Sequence, residues 1–148
     1  VNYHFQTKEH LIEICVQRMI GRVIASFQPL EKEGQTDAER LAGVAAQVFE
    51  FLFENPAVSR ISILGDLTNP AADSNSVRTM KGFSGVAGEA MEEDQKQLMV
   101  FVLTCAMQEA FLWKNESKSL TGYDLGQKAG REEFIRNLVR MLFTGGLV

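Results

Sequence analysis

Along this 148-residue chain, apolar side chains recur every three or four positions, the spacing of helices that bury one face. The first such run predicts a helix from Thr7 as its cap, with Ile12, Val16, Met19, Ile20, Val23 and Phe27 on one side. Glu9, Glu13 and Gln17 mark its wet side, and Pro29 with residues 31–34 ends it. Thr36-Asp37-Ala38-Glu39 has the form of a capping box, in which threonine and glutamate each satisfy a free amide of the first turn. Leu41, Val44, Ala45, Val48 and Leu52 continue as a core stripe, and Phe49, Phe51 and Phe53 widen it to about half the circumference. Asn55-Pro56 opens a shorter helix to about Leu67, with proline at a first-turn position where its missing N–H costs nothing.

Residues 68–76 are a loop by composition. Helical spacing returns over 77–93 with Gly82, Gly85 and Gly88 inside it, which predicts a bent or closely packed helix. Asp94 caps the most apolar helix, running to about Lys114. Leu98, Phe101, Val102, Cys105 and Leu112 lie on one of its sides, and Met99, Leu103, Met107 and Ala110 on the other. A helix apolar nearly all round has to be covered on both sides, and a second protein surface is a natural cover. Glu109 falls inside the apolar arc between Leu98 and Val102, where a buried carboxylate needs a partner. Glu109 is expected either in an internal salt bridge or at a partly wet interface position, or else to recognise a cationic or hydrogen-bonding group on a ligand. Thr104 and Gln108 form a polar ridge on the same helix, placed to line a pocket or ease a protein contact. After a polar stretch over 115–130, a final helix spans 131–143 with Phe134, Leu138, Met141 and Leu142 on its main face, ended by Gly145-Gly146. No segment alternates with strand period, so the expected class is all-α with about six helices.

Composition narrows the function without naming it. Apolar residues at 45% and charged residues at 23% fit a globular domain rather than a disordered chain. A net charge of −4 argues against a basic surface that coats nucleic acid. No apolar run is long enough for a bilayer span, so no membrane partner is expected. Val1 to Phe5 lack the basic and apolar regions of a secretory leader. Cys15 and Cys105 are isolated among apolar neighbours, which reads as two buried, reduced thiols in a cytoplasmic protein. Two histidines, His4 and His10, make no metal cluster, and neither a nucleophile–base pair nor a phosphate-cradling glycine loop is present. The chain is therefore expected to be neither an enzyme nor a holder of a metal or other cofactor.

Tyr3-His4-Phe5-Gln6-Thr7-Lys8-Glu9-His10-Leu11 is similar to the pattern Y-H-F-x-S/T-K-E-x-L of TetR/AcrR-family transcription regulators. In that family the motif joins the recognition helix of a helix-turn-helix to the next helix. As motif the resemblance covers residues 3–11; as architecture it covers the whole chain, with its long helices and a Gly146-Leu147 ending. It implies a TetR-type C-terminal helical bundle in which the last two helices of each subunit form a dimeric four-helix bundle. Residues 1–6 would be the remnant of the DNA-binding domain, which is almost wholly missing, and residues 7–148 the regulatory domain. Tyr3, His4, Thr7 and Lys8 would touch the DNA backbone in the intact protein, Thr7 and Lys8 at a helix N-terminus suited to phosphate.

The implied effector is an unidentified small molecule held among the middle helices. Its candidate lining is Phe49, Phe53, Met80, Phe83, Met91, Phe101, Cys105 and Glu109. Leu103, Met107, Phe111, Ile135, Val139 and Phe143 are the candidate homodimer contacts. The expected function is a ligand-responsive, DNA-binding regulator, most simply a repressor, with operator DNA a partner only of the intact protein. The alternative is a helical dimerisation or interaction module that senses nothing.

Overall fold

The computed structural model describes residues 2–26 and 34–144. It is all-α, with no strand among the described residues. The helices are α1 (Asn2–Ser26), α2 (Asp37–Glu54), α3 (Pro56–Thr68), α4 (Asn75–Val86), α5 (Glu93–Leu112), α6 (Ser117–Thr121) and α7 (Lys128–Thr144), with a 3-10 turn at Lys114–Glu116 between α5 and α6. Phe27, Pro29, residues 31–33 and Gly145-Gly146 lie outside the described residues.

Local chemistry explains where α2, α3 and α4 start. Thr36 caps α2: its hydroxyl accepts from the Glu39 amide at 3.1 Å, and the Glu39 carboxylate accepts from the Thr36 amide. Pro56 occupies the first turn of α3, although Asn55 donates its side-chain amide backwards to the Phe51 carbonyl instead of capping. Ser74 caps α4, accepting from the Val77 amide. α1 departs from expectation. Its backbone is helical from Asn2, so Thr7 is interior to the helix rather than at its N-cap position. Residues 2–10 contain neither proline nor glycine, so nothing in them interrupts the backbone ladder.

The run expected to be one helix over 77–93 stops at Val86. Gly88 adopts φ +83, a left-handed conformation that costs any side-chain-bearing residue about 1–2 kcal/mol. A Cβ there would also collide with the Asp37 carboxylate at the start of α2. α5 then begins at Glu93 with Asp94 inside its first turn rather than at its cap.

α2 runs through the core and packs most extensively on α7, with α4 across from it. Leu41, Ala45, Phe49, Leu103 and Leu125 are wholly buried, and Phe83, Phe111, Ile135 and Val139 nearly so. Phe49 stands edge-on to Phe53 at 4.9 Å and stacks on Phe134 at 5.6 Å, while Phe53 meets Phe111 edge-on at 5.3 Å. Each such ring gains about 1.5–3 kcal/mol on leaving water. Arg131 ties α7 to α2: its guanidinium donates to both carboxylate oxygens of Glu50, through Nε at 2.9 Å, and to the Leu125 carbonyl at 3.0 Å. It also lies over the Phe53 ring. The hydrogen bond from Arg131 holds the Glu50 carboxyl below its usual range against the opposing effect of burial.

Candidate functional site

Among the described residues, two of the places that depart from ordinary core packing offer room for a binding partner. The first lies between α1, α3, α4 and α5. α3 is inverted: Ser59 and Ser62 face inward with Ile63, while Ile61, Leu64 and Leu67 are exposed. The serines meet the start of α4, where the Asn75 side-chain amide donates to Ser62 Oγ at 3.0 Å. Asp66 accepts from the Ser76 amide at 2.9 Å and from the Ser76 hydroxyl, placing a negative charge at the positive end of α4. Ser76 Oγ in turn accepts from Gln108 Nε2 of α5 at 2.8 Å.

These groups enclose an inner chamber of about 40 Å³ whose lining includes Ser59, Ser62, Asn75, Thr79 and Gln108 on its polar side and Ile20, Val48 and Leu52 on its apolar side. Ser62 and Asn75 also line a groove of about 390 Å³ between α1 and α3, bordered by Ile12, Val16, Ile61, Glu13 and Asp66. Ser59 Oγ and Asn75 Oδ1 are buried without a hydrogen-bond partner, and a polar atom in that condition costs about 1–3 kcal/mol.

The second place is the outer face of α5. The inward side, Met99, Leu103, Met107, Ala110 and Phe111, is buried in the chain's own core. The opposite side exposes Leu98 (63%), Phe101 (53%) and Val102 (37%), and beside it Met141 of α7 is 60% exposed. Leu98, Val102 and Met141 border an apolar groove of about 570 Å³ that also involves Met91, Leu142 and Phe143.

The candidate residues fall differently from expectation. Leu103, Met107, Phe111, Ile135 and Val139, expected to meet a partner chain, are at most 2% exposed and belong to the core. Of that set only Phe143 borders a surface groove. The wheel sorted the two sides of α5 correctly, but its own core takes the side expected to face a partner.

The eight expected ligand-lining residues do not converge. Phe49 and Phe83 are core, Phe53 and Met80 pack against it, and Met91 borders the α5–α7 groove. Phe101, Cys105 and Glu109 are on the exposed face of α5. None of the eight lines the inner chamber. Glu109 accepts from Trp113 Nε1 at 2.8 Å on the surface, so it is not the buried carboxylate anticipated. Cys15 and Cys105 are free but exposed rather than buried. Partial desolvation, with the Glu109 carboxylate nearby, pushes the Cys105 thiol up.

At the other end of the chain Lys8 is exposed on α1. The helix-terminal amides that the phosphate reading assigned to Thr7 and Lys8 are interior to α1. The side chains of Tyr3, His4 and Thr7 lie outside the described residues.

Ser59, Ser62, Asn75 and Ser76 were not foreseen as a site. A signal for them exists: Ser59, Ser62 and Asp66 recur at helical spacing along one face of α3, and Gln108, noted for its ridge, reaches them from α5. Among the described residues no helix is long and apolar enough to cross a membrane. Comparison of the chain with protein-family models, with curated proteins and with solved structures returns no match.

Proposed function

We propose that this chain is the effector-sensing and dimerisation part of a ligand-responsive transcription regulator of TetR type. The observation that carries the reading is the two-sided α5, buried on one side in its own core and apolar but exposed on the other at Leu98, Phe101 and Val102. Contiguous exposed apolar surface of this kind marks an interaction site. A second copy of the chain is its simplest cover, because a two-fold axis pairs one self-complementary patch with itself. The regulator part of the reading is supported by the resemblance of residues 3–11, and the sensing part by the chamber under α1.

In this scheme α1 is the moving part. Val16 and Ile20 of α1 border the groove and the chamber, and α1 carries the motif that in the family leads to the DNA-binding head. A ligand that binds one spacing of α1 and α3 better than another shifts the population of DNA-competent dimers by that difference in affinity. Operator binding belongs to the intact protein. Sedimentation equilibrium of the chain at micromolar concentration tests the reading: a two-fold dimer is expected, and a strict monomer overturns it.

A further inference from the structure

We infer that the pocket between the C-terminal end of α2, the 3-10 turn after α5 and the segment leading into α7 binds a small zwitterion of the amino-acid class. Its carboxylate lies at Lys114 and Asn115 and its ammonium at Glu54. The pocket shares no lining residue with the chamber or with either groove described above, so it is a further site rather than part of the proposed effector site. Three observations carry it.

The first is charge. Four lining residues are ionisable: Glu50 and Glu54 of α2, Lys114 of the 3-10 turn and Arg131 of α7. Glu50 and Arg131 satisfy one another, which leaves Glu54 and Lys114. Neither forms an ion pair with any described residue, the other included. Glu54 acts on Arg131 only through space. Lys114 Nζ lies 4.4 Å from the centroid of the Phe111 ring, a contact that holds an ammonium without neutralising it. A ligand of single charge would leave one of these two groups unanswered, and a zwitterion meets both at once.

The second is the donor beside Lys114. The Asn115 side chain lines the pocket, is exposed and has no hydrogen-bond partner among the described residues. Its amide adds two donors to the ammonium next to it, a pair suited to the two oxygens of a carboxylate.

The third is size and order. At about 280 Å³ the pocket is at the small end of the range for ligand sites, and Phe53 gives it apolar surface for a short side chain. Its loop wall is fixed in advance. Leu125, wholly buried, donates its amide to Ser117 Oγ at 3.1 Å and accepts from Arg131 Nη1 at 3.0 Å. The Gly126 amide donates to Asp124 Oδ1 at 3.0 Å. A wall already ordered loses little freedom when the ligand arrives.

The test uses three probes that share a short alkyl chain: L-norvaline carries both charges, pentanoate the carboxylate alone and butylamine the ammonium alone. Each is titrated at neutral pH into isotopically labelled protein. Binding is followed through the backbone amides of Lys114, Asn115 and Gly126 and the side-chain amide of Asn115. Norvaline is expected to move these resonances and to bind about fivefold tighter than either single-charge probe, the worth of one further solvent-accessible ion pair. Glu54→Gln should reduce norvaline to the affinity of pentanoate, and Lys114→Gln to that of butylamine. Both variants change side chains outside the core and should keep the parent's helical circular dichroism. Lys118→Gln, at an exposed position of α6, is the control and should leave norvaline binding as it is.

The inference is overturned if either single-charge probe binds as tightly as norvaline, or if no probe moves those resonances. It is equally overturned if Glu54→Gln or Lys114→Gln leaves norvaline affinity unchanged, or if Lys118→Gln weakens it as much as they do.

Discussion

Replacing Phe101 by serine or aspartate isolates the energetics of the α5 face. Leu98, Phe101, Val102 and Met141 leave 63%, 53%, 37% and 60% of their surface in water, roughly two whole side chains' worth per protomer. At about 2 kcal/mol per fully buried apolar side chain, covering them is worth about 4 kcal/mol per copy and about 8 for a two-fold pair. Association itself costs about 4–15 kcal/mol, so the margin is narrow and each residue counts. Phe101 alone contributes about 1–1.5 kcal/mol per copy, and symmetry doubles it to about 2–3. Phe101→Ser is therefore expected to raise the dimer dissociation constant about a hundredfold. Phe101→Asp, which adds a desolvated charge, should leave a monomer at micromolar concentration.

Because Phe101 is half-exposed on the side of α5 away from the core, both variants should keep the parent's helical circular dichroism. Leu67→Asp, on the exposed side of α3 and itself 61% exposed, serves as the matched control. Sedimentation across nanomolar to micromolar concentrations reads all three. The reasoning fails if Phe101→Asp dimerises as the parent does, or if Leu67→Asp weakens the dimer equally.

The Glu50–Arg131 pair predicts both a stability loss and its pH dependence. Arg131→Met leaves a partly buried carboxylate without its two donors and should cost about 2–4 kcal/mol, seen as a drop of about 1–2 M in the urea midpoint at neutral pH. Since the hydrogen bond from Arg131 holds the Glu50 carboxyl below its unfolded value, the stabilisation is fully present above that unfolded value, near pH 4.5. It is lost as pH falls through the folded value, so the gap between parent and Glu50→Gln should close in acid; a gap that widens there contradicts the assignment. Cys105 lies on the proposed interface and Cys15 on the exposed side of α1, so raising protein concentration should slow maleimide labelling of Cys105 and leave Cys15 unaffected.

What the sequence made legible was local. The Thr36–Glu39 capping box, Pro56 in the first turn of α3 and the apolar stripe of α2 each depend on residues a few positions apart, and each stands in the structure. The candidate sites depended instead on which side of a helix faces which neighbour, and sequence period is silent on that when both sides look alike. α5 is the clear case: Leu103 and Met107 are as apolar as Leu98 and Phe101, so nothing in the periodicity says which pair belongs to the core. The decision comes from α2, α4 and α7, whose apolar faces must be covered first. α3 poses the opposite problem. Its inward Ser59 and Ser62 and outward Ile61 and Leu67 run against the burial rule, so a rule-following reading places the serines in water. These two violations lie where the candidate sites lie, as expected if local rules give way chiefly where function requires it. An inward serine without a partner and an outward phenylalanine without a cover each leave a cost that the folded chain alone does not recover. Each therefore points to something that binds, the proposed effector in one case and a second copy of the chain in the other.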